Sequence, residues 1–240
     1  MQTDLKILYE DDDLYIIDKA AGIHSVMLKN GGVSIAELLL TKNPDLAKVS
    51  NHSGDAGLVQ RLDFDTSGCL LAAKNRATWE KLFLMLKNGE IKKTYLAIVE
   101  GIFNGPKVVD TFIASRSRHA TKVQVLRKET PRSQKAHSEF FPKEINQEQQ
   151  LSLVEGHAPI ARRHQIRAHL SYLGFPLVGD VLYGSKHTLP EFFQRGFFLH
   201  AASLSFRHPV LDKELLISSP APTILKDICA LLREKDLGSK

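Results

Sequence analysis

The segment Arg61-Leu62-Asp63-Phe64-Asp65-Thr66-Ser67-Gly68 sets an acid between an arginine and a Thr-Ser-Gly turn, and the apolar run Cys69-Leu70-Leu71-Ala72-Ala73 follows at once. A carboxylate at the entrance of such a strand is held rigidly near solvent, and a neighbouring cation keeps it ionised. Those are the properties of a carboxylate nucleophile or base. Aspartate is also a common turn former, so Asp63 and Asp65 taken alone would suit an ordinary turn equally well.

Three other segments carry side chains of comparable interest. In Lys92-Lys93-Thr94-Tyr95-Leu96-Ala97 a tyrosine opens an apolar strand. Tyr95 fits a half-buried strand position, and it also fits a platform for a flat base with a hydroxyl near a reacting centre. The run Arg162-Arg163-His164-Gln165-Ile166-Arg167-Ala168-His169-Leu170 is dense in cations and imidazoles. His164 and His169 do not share a helix face, and no carboxylate lies between them as in a zincin, so the pattern is not read as metal-binding. It reads either as a solvated basic face or as an arginine, Arg167, placed to grip a carboxylate in two-pronged fashion. Residues 115–135 hold Arg116, Arg118, Lys122, Arg127, Lys128, Arg132 and Lys135 against Glu129 as their single acid. Such a run is ordinarily a solvated loop, and it is equally suited to a phosphate backbone.

The elements that must position these groups follow from local pattern. Ile7-Leu8-Tyr9 and Leu14-Tyr15-Ile16-Ile17 flank the turn at Asp11-Asp12-Asp13 and predict a hairpin leading into Lys19-Ala20-Ala21-Gly22. Ser34 and Glu37 have capping-box spacing and start a short helix. Residues 77–88 predict a helix closed by Asn88-Gly89, residues 94–100 and 151–154 predict strands, and residues 162–173 and 222–234 predict helices. Strands and helices interleave without steady alternation and without a glycine fingerprint, which argues against a doubly wound sheet. The expectation is an α+β fold with a mixed, mainly antiparallel sheet and peripheral helices, in one domain over residues 1–240.

Apolar residues make up 43% of the 240, enough for a proper core. Lys and Arg number 32 against 27 Asp and Glu, a net charge of +5 that permits a polyanionic partner without demanding one. The two cysteines, Cys69 and Cys229, lie far apart and form no metal pattern, as in a reducing cytosol. The N-terminus lacks the basic start and apolar stretch of a secretory signal, and no run is long enough to span a bilayer. A cytoplasmic protein without membrane contact is expected.

The Asp63 segment closely resembles the active-site motif of the RluA-type pseudouridine synthases, His-Arg-Leu-Asp-x-x-Thr-Ser-Gly, with Gln60 in place of the first histidine. Lys93-Thr94-Tyr95 matches the family's Lys-x-Tyr before an apolar strand. Residues 161–170 resemble Gly-Arg-x-His-Gln-Ile-Arg-x-His-Leu, with Ala161 for the glycine and Arg163 for the usual threonine. Residues 174–184, 199–201 and 206–209 also resemble family segments, as do residues 7–11 and 17–22, where Ala20 stands for a usual proline. The likeness runs in order over roughly residues 7 to 210.

The resemblance implies the pseudouridine synthase catalytic fold and conversion of selected uridines in structured ribosomal or transfer RNA to pseudouridine, with no metal and no cofactor. Asp63 would be the essential carboxylate, whether it traps the sugar, takes a sugar proton or attacks the base. Tyr95 would stack on the uracil and assist loss of the C5 proton, and Arg167 would contact Asp63. Arg61 would fill the space left by the flipped uridine, and Leu199 would cover the other face of the uracil. Arg162, His164, Arg116, Arg118 and Lys122 would contact RNA. The chain would be a stand-alone, monomeric catalytic domain without a separate N-terminal RNA-binding module. Two rivals are a catalytically silent RNA-binding or RNA-folding protein on the same fold and a glycosidase or nucleosidase using Asp65 as its second carboxylate.

Overall fold

The structure, a computed structural model, describes residues 4–28, 31–117, 120–186 and 196–222. In chain order the elements are β1 (Ile7–Glu10), β2 (Leu14–Lys19), α1 (Ile35–Lys42), β3 (Ser67–Ala73), α2 (Arg76–Asn88), β4 (Lys92–Glu100), β5 (Lys107–Ser115), β6 (Val123–Leu126), β7 (Gln134–Asn146), β8 (Leu151–His157), α3 (Gln165–Tyr172), β9 (Leu199–Arg207) and β10 (Glu214–Ser218). Among the described residues no helix is long and apolar enough to cross a membrane. The chain divides into two compact units, residues 1–93 with 201–220, and residues 94–200 with 221–240.

In the first unit the strands run in the order β1-β2-β3-β9, with β10 also pairing β9. β1 and β2 form the expected hairpin. The carboxylate of Asp11 shapes its turn by accepting the N–H groups of Asp13 and Leu14 at 2.9 Å each. All seven residues of β3 are buried, as its unbroken apolar run requires of a strand covered on both faces. Gly68 at its start has φ +109, and a Cβ there would collide with the Ala201 carbonyl, so the position admits glycine only. Helix α1 has the full capping box: Ser34 accepts from the N–H of Glu37, whose carboxylate accepts the N–H of Ser34. Helix α2 starts on the side chain of Asn75 and ends at Gly89, with φ 75. Leu14, Ile16, Leu39, Leu70, Leu71 and Leu82 are fully buried in this unit's core.

The second unit follows the order β4-β8-β7-β5-β6, every pair antiparallel. The long β7 and its partner β5, masked in the sequence by alternating charges, give this unit its span. Two apolar clusters fill it, one around Ile98, Leu153, Val178 and Phe198, the other around Ile113, Val123, Ala136, Ala168 and Tyr183. Helix α3 begins three residues later than its apolar spacing predicts, because His164 adopts left-handed φ 54 and breaks the backbone before it. The expected basic stretch contains β6, and its described residues 116–117 and 120–122 lie between β5 and β6. The helix expected at 222–234 lies outside the described residues apart from its first position, as do Arg118 and Cys229. The α+β class and mainly antiparallel pairing expected from sequence hold.

Candidate active site

The segment around Asp63 is fixed by groups from the β2–α1 connection. Ser25, which is buried, donates its hydroxyl to the carbonyl of Leu62 at 2.8 Å and accepts the Leu62 N–H at 3.0 Å. Two donors converge on the carbonyl of Phe64, the N–H of Gly22 at 2.9 Å and Nζ of Lys19 at 3.0 Å. The N–H of Thr66 closes the turn on the Asp63 carbonyl at 3.1 Å. Asp63 itself is half-buried between exposed Arg61 and exposed Phe64, whose ring packs on His24 at 4.5 Å. Its backbone therefore has little freedom, while the residue as a whole is not fully buried.

Lys19 is fully buried, and its ammonium donates to the carbonyls of Ala20 and Phe64. Burial pushes its pKa from 10.5 down to about 7, against the opposing pull of the Asp65 and Asp63 carboxylates. Sequence pattern places Lys19 in a loop and gives it no role, since its signal is weak: one lysine at the end of an apolar strand. Cys69, at the third position of β3, is buried and its thiol is pushed up to about 12, chiefly by burial, so it is no nucleophile.

In the second unit Tyr95 is buried on β4 opposite Gly156 of β8. Leu199, the first residue of β9, is buried as well. Arg167 lies on α3, buried, and its Nε and Nη2 donate to the two oxygens of Asp180 at 2.7 and 2.9 Å. Two rings stack on the same guanidinium, Phe197 at 4.1 Å and Tyr183 at 5.0 Å. This is the two-pronged grip that arginine favours, with Asp180 as a carboxylate that sequence reasoning does not assign to it. Asp180 stands in the Gly179-Asp180 turn, and turn chemistry masks it.

Several other residues of the Arg162–Leu170 motif are tied into the surrounding strands and loops. The side chain of Gln165 accepts the Arg162 N–H at 2.9 Å and donates to the His137 carbonyl and the Ser138 hydroxyl. His164 Nδ1 meets the Tyr183 hydroxyl at 3.1 Å, while that hydroxyl accepts the Val123 N–H at 2.9 Å. His169 is fully buried between Thr111 and Ser138 hydroxyls, and burial depresses its pKa to about 4, so it stays neutral. Arg163, where the motif departs from the usual threonine, donates to the carbonyls of Ala120 and Thr121 at 3.0 Å each and ties down the β5–β6 turn. Arg116 and Lys122 are exposed in that turn.

A model of the family described as RNA pseudouridylate synthase matches residues 13–172. The chain belongs to this family. It is thereby an RNA pseudouridine synthase, an isomerase that acts on RNA, and the RluA-type resemblance read from sequence holds. An uncharacterized RNA pseudouridine synthase of Bacillus subtilis (strain 168), YhcT, is 33% identical over 94% of this chain and 72% of its own length. Ribosomal large subunit pseudouridine synthase D of Xanthomonas campestris is 33% identical over 96% of this chain and 70% of its own. Among solved structures, human RNA pseudouridylate synthase domain containing 4 is similar with a TM-score of 0.71 at 24% identity, covering 95% of this chain and 93% of that one. That likeness concerns the fold.

Proposed function

We propose that this synthase isomerises specific uridines of structured ribosomal or transfer RNA, with Asp63 as the essential carboxylate. One observation carries the reading. Lys19, Gly22 and Ser25 lock the main chain on both sides of Asp63, yet Asp63 itself is not fully buried. Such preorganisation is wasted on a turn former and useful to a group that must meet a sugar or base at fixed geometry. In the isomerisation the N1–C1′ bond breaks, the uracil turns, a C5–C1′ bond forms, and the C5 proton is lost as N1 gains one, so no co-reactant is consumed. Tyr95 stacks on the base and helps remove that proton, and Arg167 keeps the acid ionised. Leu199 covers the uracil, and Arg61 replaces the flipped nucleotide in the stack. Arg162, His164, Arg116, Arg118 and Lys122 contact the RNA.

Several relatives are named for the ribosomal large subunit, including synthase C of Pasteurella multocida at 32% identity, which favours ribosomal RNA. We read the two units as one catalytic domain over residues 1–240, acting as a cytoplasmic monomer. Pseudouridines are mapped across total RNA from cells carrying the wild-type gene, the Asp63→Asn gene or none. The expected result is one set of sites present only with wild type. Sites retained with Asp63→Asn remove that residue from its role, and release of free uracil instead points to hydrolysis.

A further inference from the structure

The second unit contains a cavity of about 550 Å³ between the ends of β5, β6 and β7 and the start of the Arg162 motif. Its volume is that of a small-ligand site, roughly 300–1,000 Å³. Ile113 and Val123, drawn from an apolar cluster, contribute to its lining. Ser115, Gln134, Arg132 and Arg162 supply its polar groups, and among the described residues no carboxylate lines it. Arg163 also borders it, with two of its donors occupied by the Ala120 and Thr121 carbonyls, so it shapes the wall. Arg162 differs: its Nε is buried and has no hydrogen-bond partner among the described residues. A buried donor without an acceptor is costly, and a guanidinium in a cavity without acids awaits an anion.

The combination restricts the anion. A bare phosphate needs no apolar lining, and the backbone of an intact duplex presents no base to one. An unpaired nucleotide needs all three features: cations for its phosphate, an apolar surface for its base, and an amide for the base edge. None of Asp63, Tyr95 and Arg167 lines the cavity, so its occupant is not the uridine undergoing reaction. We propose that this cavity takes one unpaired nucleotide of the substrate RNA other than the target, with its phosphate on Arg162 and Arg132 and its base over Ile113 and Val123 beside Gln134. The proposal rests on the reading of the chain as an enzyme acting on RNA.

The test uses the full chain and a fluorescein-labelled single-stranded hexamer of adenosines, which contains no uridine to engage the catalytic residues. Gln134 and Arg132 are exposed, and Ser115 is half-buried on β5. Wild type is expected to bind the hexamer, Gln134→Glu to weaken it about tenfold by setting a carboxylate against the phosphate, and Ser115→Trp to weaken it at least as much by filling the space. Arg132→Glu, a change on an exposed side chain, guards against a misfolded Ser115→Trp. The inference falls if wild type does not bind the hexamer or if the folded variants bind it like wild type. It also falls if a six-base-pair RNA duplex binds as well with the same losses, which marks a backbone phosphate site. Competition by AMP or inorganic phosphate as strong as by unlabelled hexamer marks a site for the free anion and overturns it too. Pseudouridine formation in total RNA is scored separately. Its absence with wild type refutes the enzymatic reading, whereas wild-type hexamer affinity in the variants refutes the cavity alone.

Discussion

Around Asp63 the loop is gripped by its main chain: the N–H and carbonyl of Leu62 and the carbonyl of Phe64 are the groups held. Around Arg167 the groups that fix the guanidinium are side chains, namely the Asp180 carboxylate and the Phe197 and Tyr183 rings. The first arrangement survives substitution of the loop's own side chains, since every residue there offers the same carbonyl. The second fails when one partner changes. The acid is therefore presented by a loop whose shape is insured, and the arginine by a set of groups that depend on each other's identity. A carboxylate that must reach substrate gains from a main chain that is held in place. A buried cation has to be fully satisfied where it sits.

The sharpest way to break this contrast is to remove one partner from each region. Asp180→Asn leaves the Arg167 cation buried beside a neutral amide, and breaking a buried pair in this way costs about 3–5 kcal/mol. Asp63→Asn is expected to cost about 1 kcal/mol or less, since the main-chain bonds that hold Leu62 and Phe64 remain in place. Urea unfolding of the two variants at neutral pH checks the difference, and equal losses would refute it.

Next in size is Lys19. Its folded-state pKa is about 7, against 10.5 for the free side chain. Below pH 7 both states hold the proton and the folded protein carries the whole penalty of a buried ammonium. Between pH 7 and 10.5 the unfolded chain holds more protons, so stability rises with pH through that window, with a swing on the order of a few kcal/mol. Lys19→Met is expected to flatten the rise, as read by melting temperature across that range. A wild-type slope retained in that variant would place the titrating group elsewhere. Ser25→Ala removes the two-way tie to Leu62 and is expected to cost about 1–2 kcal/mol and to lower turnover by loosening the loop. Thermal unfolding and single-turnover rates measure both.

What is legible in the sequence follows the same division. The hairpin at Asp11-Asp12-Asp13, the Ser34–Glu37 capping box and the stop at Gly89 are readable because they are local, each fixed by residues within a few positions. The Asp63 motif is readable because its string of residues is specific. Lys19, Ser25 and Asp180 are not, since each acts on a partner 13 to 45 positions away: Lys19 on Phe64, Ser25 on Leu62, Asp180 on Arg167. The strands β5 and β7 stay hidden for another reason. They carry Lys107, Asp110, Lys135 and Glu139, and charges interleaved with the apolar residues blur their alternation. His169 shows the converse risk. A histidine in a basic run suggests chemistry, yet its two ring nitrogens serve Thr111 and Ser138 inside the core.

The smallest effect on stability belongs to the cations that neither region holds. Arg116 and Lys122 are exposed in the β5–β6 turn, where charges add little to folding, so reversing both to Glu is expected to shift stability by less than about 0.5 kcal/mol. Binding of RNA should nevertheless weaken for all sequences alike, because phosphate contacts carry no base information. The dependence of log affinity on log salt should become shallower by about 0.7–0.9 for each phosphate that is no longer neutralised. The comparison with Arg167 is then direct: a cation committed to the fold moves the unfolding curve, and a cation committed to RNA moves the salt slope. Fluorescence anisotropy of a structured RNA fragment over a range of salt concentrations reads the second. If affinity and slope both stay at wild-type values, the turn is a solvated loop and the phosphates must dock on Arg61 and Arg162 instead.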